Sequence, residues 1–285
     1  MNYALDALWW RLTDPDARAL ASLLTAPSLW HSGCELPVRE LLGEHGFRFL
    51  LELDESPQAL HAALAEQAPF HQRLGYYAES LLAFWFDHAP HSKLLARNIR
   101  WQGSKGEQGE LDFAVVLNHQ PYHIELTCKY YGAAEADPAK MAGLNPHDKL
   151  ADKAAKLKQQ LGRLQDIEGQ TVWQAAGFER DSIKSASIVR GIGFAAAGCA
   201  FERAPLNPYG WHGLYINDVP FIQPADAETR RYYLLPHMDL LAPTRVVEDA
   251  CLKTFPADAP AGLWVVLEKR PDGYWHEIER WMKPQ

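Results

Sequence analysis

Four side chains of this sequence have the types and the order that metal-assisted chemistry needs: Glu79, Asp112, Glu125 and Lys129. Three of them fall in the stretch from Gly109 to Tyr131, GELDFAVVLNHQPYHIELTCKYY, which reads as two strands. Asn118, His119, Gln120 and Pro121 supply the polar turn between them. Alternation puts Glu110, Asp112, Ala114 and Val116 on one face of the first strand, and Leu111, Phe113, Val115 and Leu117 on the other. In the second strand His123, Glu125, Thr127 and Lys129 share a face, opposite Ile124, Leu126, Cys128 and Tyr130. Antiparallel pairing then sets Asp112 beside Glu125, with Lys129 further along. Two carboxylates and an ammonium on one sheet can hold a divalent cation and keep an acid or charge stabiliser beside it. The same pattern also describes the solvated face of an ordinary half-buried hairpin.

The elements around this hairpin must position the remaining groups. From Gln72 to Asp87 the spacing predicts a helix that is apolar nearly all round, with Glu79 its only charge between Leu74 and Phe86. A lone carboxylate there is costly unless it is paired with an arginine, protonated or bound to metal. Leu94 to Gln102 reads as a strand, and polar residues 103 to 108 as a turn into the hairpin. After a loop from Gly132 to Gly143, Asn145-Pro146 is expected to open a helix that runs to about Gln165. Its apolar stripe is Leu150, Ala154, Leu157, Leu161 and Leu164. Lys149, Lys153 and Lys156 share another face, and Asp148 to Arg163 holds five basic residues against two acids. Such a stripe can track phosphates, or form a solvated face balanced by Asp148 and Asp152. Ser187 to Ala197 reads as a buried strand in which Gly191 and Gly193 mark a bulge or a close backbone approach. Its Arg190 suits either a phosphate or a structural carboxylate.

The flanks carry no catalytic pattern. Residues 1 to 71 look helical, with Ala4, Leu5, Leu8, Trp9 and Leu12 in one stripe, a break at Asp14-Pro15, and Ser56 as an N-cap ahead of Pro57. Residues 201 to 285 look β-rich, with strands at Tyr215–Ile222 and Arg231–Leu235, a short helix at Val246–Phe255, and a closing hairpin turned at Pro271-Asp272-Gly273.

Composition narrows the function classes. The chain has 285 residues and a formal net charge of −8, so binding to nucleic acid must come from a local patch. Its four cysteines contain no CxxC pair, which argues against a cysteine zinc site or a disulfide framework and fits a reducing, cytoplasmic setting. No apolar run is long enough for a membrane span, and the N-terminus lacks a signal-peptide pattern. Twelve histidines are present, yet no G-x-S-x-G elbow and no G-x-G-x-x-G fingerprint accompanies them.

The order of a helix with a buried Glu, a strand, a strand with Asp, a strand with Glu and Lys, a basic helix and a strand resembles the core of the PD-(D/E)XK nuclease superfamily. The expected fold is therefore α/β (α+β): a restriction-endonuclease-like αβββαβ core over residues 72–200, an N-terminal helical region over 1–71 and a β-rich C-terminal extension over 201–285. RLGYYAESLLAFW, GELDF, ELTCKYY, GLNPHDKLADKAAKLKQQL and YYLLPHMDLLAP further resemble the bacterial DUF1853 family, usually placed in that superfamily. The resemblance implies that Asp112, Glu125 and the carbonyl of Leu126 hold Mg²⁺ or Mn²⁺, with Glu79 reaching the ion directly or through water. It implies a nuclease acting on DNA, with Lys149, Lys153, Lys156 and Arg190 as nucleic-acid contacts. One departure stands out. Thr127 occupies the position two after the acid where the pattern wants lysine, and Lys129 lies about 7 Å further along the strand. Lys153, from the following helix, is the alternative cation. A nucleic-acid-binding module of the same fold that no longer cuts, and a protein-interaction or structural role, are the rival expectations.

Overall fold

The structure is a computed structural model, described here for residues 11–102, 108–165, 171–217 and 228–285. The stripe from Ala4 to Trp9, the turn at 103–107 and the 218–222 part of an expected strand lie outside the described residues. Helix α1 (Pro15–Thr25) starts where Asp14 accepts hydrogen bonds from the amides of Asp16 and Ala17, with proline in the first turn, so the expected break is a helix cap. Three further helices follow: α2 (Val38–Leu42), α3 (Gly46–Glu55) and α4 (Gln58–Gln67). Ser56 is not an N-cap. It ends α3, and Pro57 precedes α4 with no side-chain cap. Helix α5 (Leu74–His88) begins two residues later than the periodicity suggests, because His71 and Gln72 have φ of 49° and 61°, outside the helical region.

The strands are β1 (Ser92–Gln102), β2 (Gln108–Leu117), β3 (Gln120–Gly132), β4 (Lys184–Ala195), β5 (Trp211–Tyr215), β6 (Arg230–Leu234), β7 (Arg245–Val246), β8 (Gly262–Lys269) and β9 (Trp275–Lys283). They form one mixed sheet in the order β1-β2-β3-β4-β5-β9-β8-β6, with β7 on β9. Pairing is antiparallel except at β3–β4, β4–β5 and β5–β9. The central hairpin turns on two residues: Asn118 and His119 have φ of 49° and 67°, the backbone a tight hairpin demands. Gln120 and Pro121 already belong to β3.

Helices cover both faces of the hairpin. Phe113, Val115, Leu117 and Ile124 pack with α5 and the N-terminal helices in the largest apolar cluster, where Phe86 meets Phe113 edge-on. Helix α6 (Leu150–Gly162) lies over the other face, and Leu150, Leu157 and Leu161 are buried against Tyr131 and Val189. The expected start of α6, with Asn145 as N-cap and Pro146 as first helical residue, is four residues early. Ala142 forms bridges with both Gly132 and Lys149, which holds Lys149 extended and makes 145–148 a turn. The expected helix at Val246–Phe255 shrinks to a single 3-10 turn at Glu248–Ala250: Arg245 and Val246 pair with β9, and Leu252 exchanges two backbone hydrogen bonds with Tyr232. Backbone groups claimed by the sheet on either side leave room for that turn and no longer helix. The expected strand from Tyr215 is displaced, since β5 ends at Tyr215.

Candidate active site at the fork of the sheet

The pairing of β2 with β3 runs from Leu117–Gln120 to Phe113–Ile124 and goes no further. Beyond that point β2 stays with β1 and β3 stays with β4, so the sheet forks. Asp112 and Glu125 are the first residues past the split. In place of a backbone ladder, Asp112 Oδ2 accepts the amide of Leu126 at 2.7 Å. The amide and carbonyl of an extended residue point to the same side, so the Leu126 carbonyl also faces the fork.

A backbone irregularity in β1 lies opposite this point. Arg97 pairs with Phe113 and Ile99 with Leu111, which sets Asn98 opposite Asp112, and Asn98 has φ of 52°. A left-handed residue within a strand bends it and breaks its alternation. On the facing strand β2, Leu111 leaves the face of Phe113, Val115 and Leu117. It joins a separate cluster with Ala114, Leu164, Trp173 and Ile183, contrary to the simple period of two expected for β2.

Glu125 is 1% exposed, and both its oxygens are occupied. His123 Nε2 donates to Oε1 at 2.7 Å, and Gln160 Nε2 from α6 donates to Oε2 at 2.6 Å. His123 itself is fully buried. The polar face of the hairpin is therefore a covered interface with α6 and not a solvated one. Asp112 and Glu79 are half-buried and line a cleft of about 530 Å³, with Lys156, Gln160 and Arg163 on the α6 side. Burial first, then the neighbouring Glu125 and Glu79 charges, pushes the Asp112 carboxyl up to about 8. Burial and the nearby Glu110 push Glu79 up to about 7. Lys153 works against both shifts. Its own pKa is lowered by burial, with Lys156 and Lys129 adding to the effect.

The ligand atoms of Glu79, Asp112 and Glu125 do not all lie within 4.8 Å of one another. Among the described residues that condition is met by Asp14, Asp16 and His61, where Asp14 is already the cap of α1 and accepts from His61. The Glu79 side chain runs back along its helix, placing Oε1 3.9 Å from a Cβ built on Gly75.

The other expected residues separate into two groups. Lys149 and Lys156 are exposed at α6, and Lys153 is half-buried between them and the acids. Lys129 donates to Asp148 Oδ2, while Tyr131 donates to Asp148 Oδ1 at 2.8 Å, so this lysine serves the loop before α6. Arg190 does not reach the basic face. It is 5% exposed, and its Nε donates to the carbonyl of Leu23 at 2.6 Å, which ties β4 to α1. Phosphate contact by Arg190 is ruled out by that burial.

Residues 18–282 match the family described as "Domain of unknown function (DUF1853)". The chain belongs to this family. No curated protein and no solved structure matches it. In this DUF1853 protein the residues that sequence reasoning passed over are His123, Gln160 and Asn98. Gln160 had a signal, since 153, 156 and 160 share one face of a helix. Asn98 had none, because a left-handed asparagine within a strand leaves no periodic trace.

Proposed function

We propose that this DUF1853 protein is a Mg²⁺- or Mn²⁺-dependent phosphodiesterase acting on DNA, built on a restriction-endonuclease-like core of α5, β1–β3, α6 and β4. The observation that carries the reading is the fork: a carboxylate stands in for the ladder at Leu126, with a second buried carboxylate beside it. The donor set fits a hard divalent cation, since it comprises carboxylates and a carbonyl. Asp112 and Glu79 have raised pKa values because of burial first and neighbouring carboxylates second, and a cation there would offset both. Asp112, Glu125 and the Leu126 carbonyl would hold the ion, and Glu79 would join by rotating its side chain. The bound ion supplies a water of lowered pKa and offsets charge on the scissile phosphate. His123 and Gln160 keep Glu125 in place. Lys153 is the cation best placed to stabilise charge at the acids, and Lys149 and Lys156 extend the positive edge along the DNA backbone.

Calorimetric titration of Mg²⁺ and Mn²⁺ into the wild type and Asp112→Ala tests the metal. Heat in the wild type alone is expected, and equal heats end the claim. Incubation with plasmid, linear, branched and single-stranded DNA tests the chemistry. One observation favours a second reading, a module that binds nucleic acid without cutting: Thr127 fills the lysine position and Lys129 is engaged by Asp148. That reading predicts salt-sensitive DNA retention that survives Glu125→Gln, and no cleavage by the wild type.

A further inference from the structure

Helix α5 buries nearly all of its apolar side chains, yet Tyr76 in its first turn is 48% exposed. It stands one turn before Glu79 and lines the same cleft. Arg73 holds the ring, with its guanidinium carbon 5.2 Å from the ring centroid and Nη1 donating to the hydroxyl at 3.0 Å. Lys156 on α6 and Arg163 just past its end line the same cleft. The cleft thus combines an oriented aromatic surface, basic side chains and the acids Glu79 and Asp112.

A double helix keeps its bases stacked and paired inward, so a tyrosine at a cleft wall meets a base only where that base is unpaired. The volume of about 530 Å³ is in the range of sites that enclose a small molecule, which suits one or two nucleotides and not a duplex. Aromatic stacking and a basic track are together how single strands are held without reading their sequence.

We infer that the cleft takes an unpaired nucleotide of single-stranded DNA, stacked on Tyr76, with its phosphate carried towards Asp112 and Glu79 by Lys156. This rests on the nuclease reading and names the form of its substrate. Binding of a labelled twelve-residue oligothymidine and of a labelled blunt duplex to the full chain, followed by fluorescence anisotropy in EDTA, tests it. The single strand is expected to bind at least about tenfold tighter than the duplex. Tyr76→Ala should weaken single-strand binding by about tenfold and change duplex binding less than about twofold, with Tyr76→Phe close to wild type. Equal binding of the two probes, or a Tyr76→Ala effect that is absent or the same on both, overturns the inference and leaves the nuclease reading intact. Failure of both probes to bind removes the two together. The Tyr76 ring is exposed, so a thermal melt should show all three proteins equally folded.

Discussion

Asp112 holds the fork closed through the Leu126 amide and is also the group whose ionisation the site resists most. Burial, then the neighbouring acids, pushes its carboxyl up to about 8 and that of Glu79 up to about 7, from ordinary values of 3.8 and 4.5. The folded chain therefore holds protons that the unfolded chain has released. The stability those protons confer is complete below about pH 4 and is lost as pH rises through 7 to 8. Asp112→Asn should flatten this decline and melt above the wild type at pH 8 in EDTA. Mg²⁺ must displace the same protons, so it should raise the wild-type melting temperature more at pH 8 than at pH 6, and leave Asp112→Asn unmoved. A wild type whose stability rises between pH 5 and 8 would contradict the assignment. His123 sets a second test. Removing it leaves Glu125 buried with one donor lost, a cost of about 1–3 kcal/mol in urea unfolding. Glu125→Gln added to His123→Ala should recover part of that loss, since a neutral amide needs less solvation than a carboxylate.

At the scale of elements the site depends on two backbone irregularities, and one of them was visible in the sequence. Gly191 sits beside Lys129 in the parallel β3–β4 pair with φ of 136°, and a Cβ there would fall 1.6 Å from the Lys129 carbonyl oxygen. Only glycine fits. Gly191→Ala should cost more than about 4 kcal/mol or prevent folding, because the obstacle is backbone and cannot rotate away. Gly198→Ala, whose φ is 84° with open space around it, is the control and should cost about 1 kcal/mol from strain alone. The glycines of β4 announced a close approach, just as the apolar runs announced α5 and the alternation announced β3. Asn98 announced nothing, and neither did the start of α6, because a bridge between Ala142 and Lys149 is a long-range pairing that no local propensity records. The candidate acids were legible for a similar reason: Glu79 interrupts an apolar helix, and Asp112 and Glu125 keep the period of a strand. Their hydrogen bonds were not, since Gln160 reaches Glu125 only after α6 has packed.

The whole molecule does not divide where composition changes. The C-terminal strands continue the sheet from β4 through β5 to β9, β8 and β6, and the largest apolar cluster joins Leu20, Trp85, Phe113 and Ile124 to Val265, Leu267, Trp275 and Met282. Gly132, at the end of the strand that carries Glu125, leaves room for Met282 and Tyr215, whose atoms would lie 2.6 Å from an added Cβ. Tyr130 on β3 reinforces the junction: its hydroxyl donates to the Leu240 carbonyl at 2.6 Å. Arg280, 4% exposed, fixes that loop by donating to the carbonyls of Leu240 and Ala242 while pairing with Glu277 at 2.7 Å. A chain ended at residue 200 would keep every candidate acid and lysine while exposing the edge of β4 and one side of the shared core. Edges and apolar faces of that kind drive association. The truncated chain should therefore be insoluble or lack a cooperative melt, although it retains all the candidate acids and lysines. A soluble, cooperatively folded 1–200 fragment would show that the C-terminal strands are an appendage. The continuous sheet and core argue instead that β8 and β9 are part of what holds Glu125 in position.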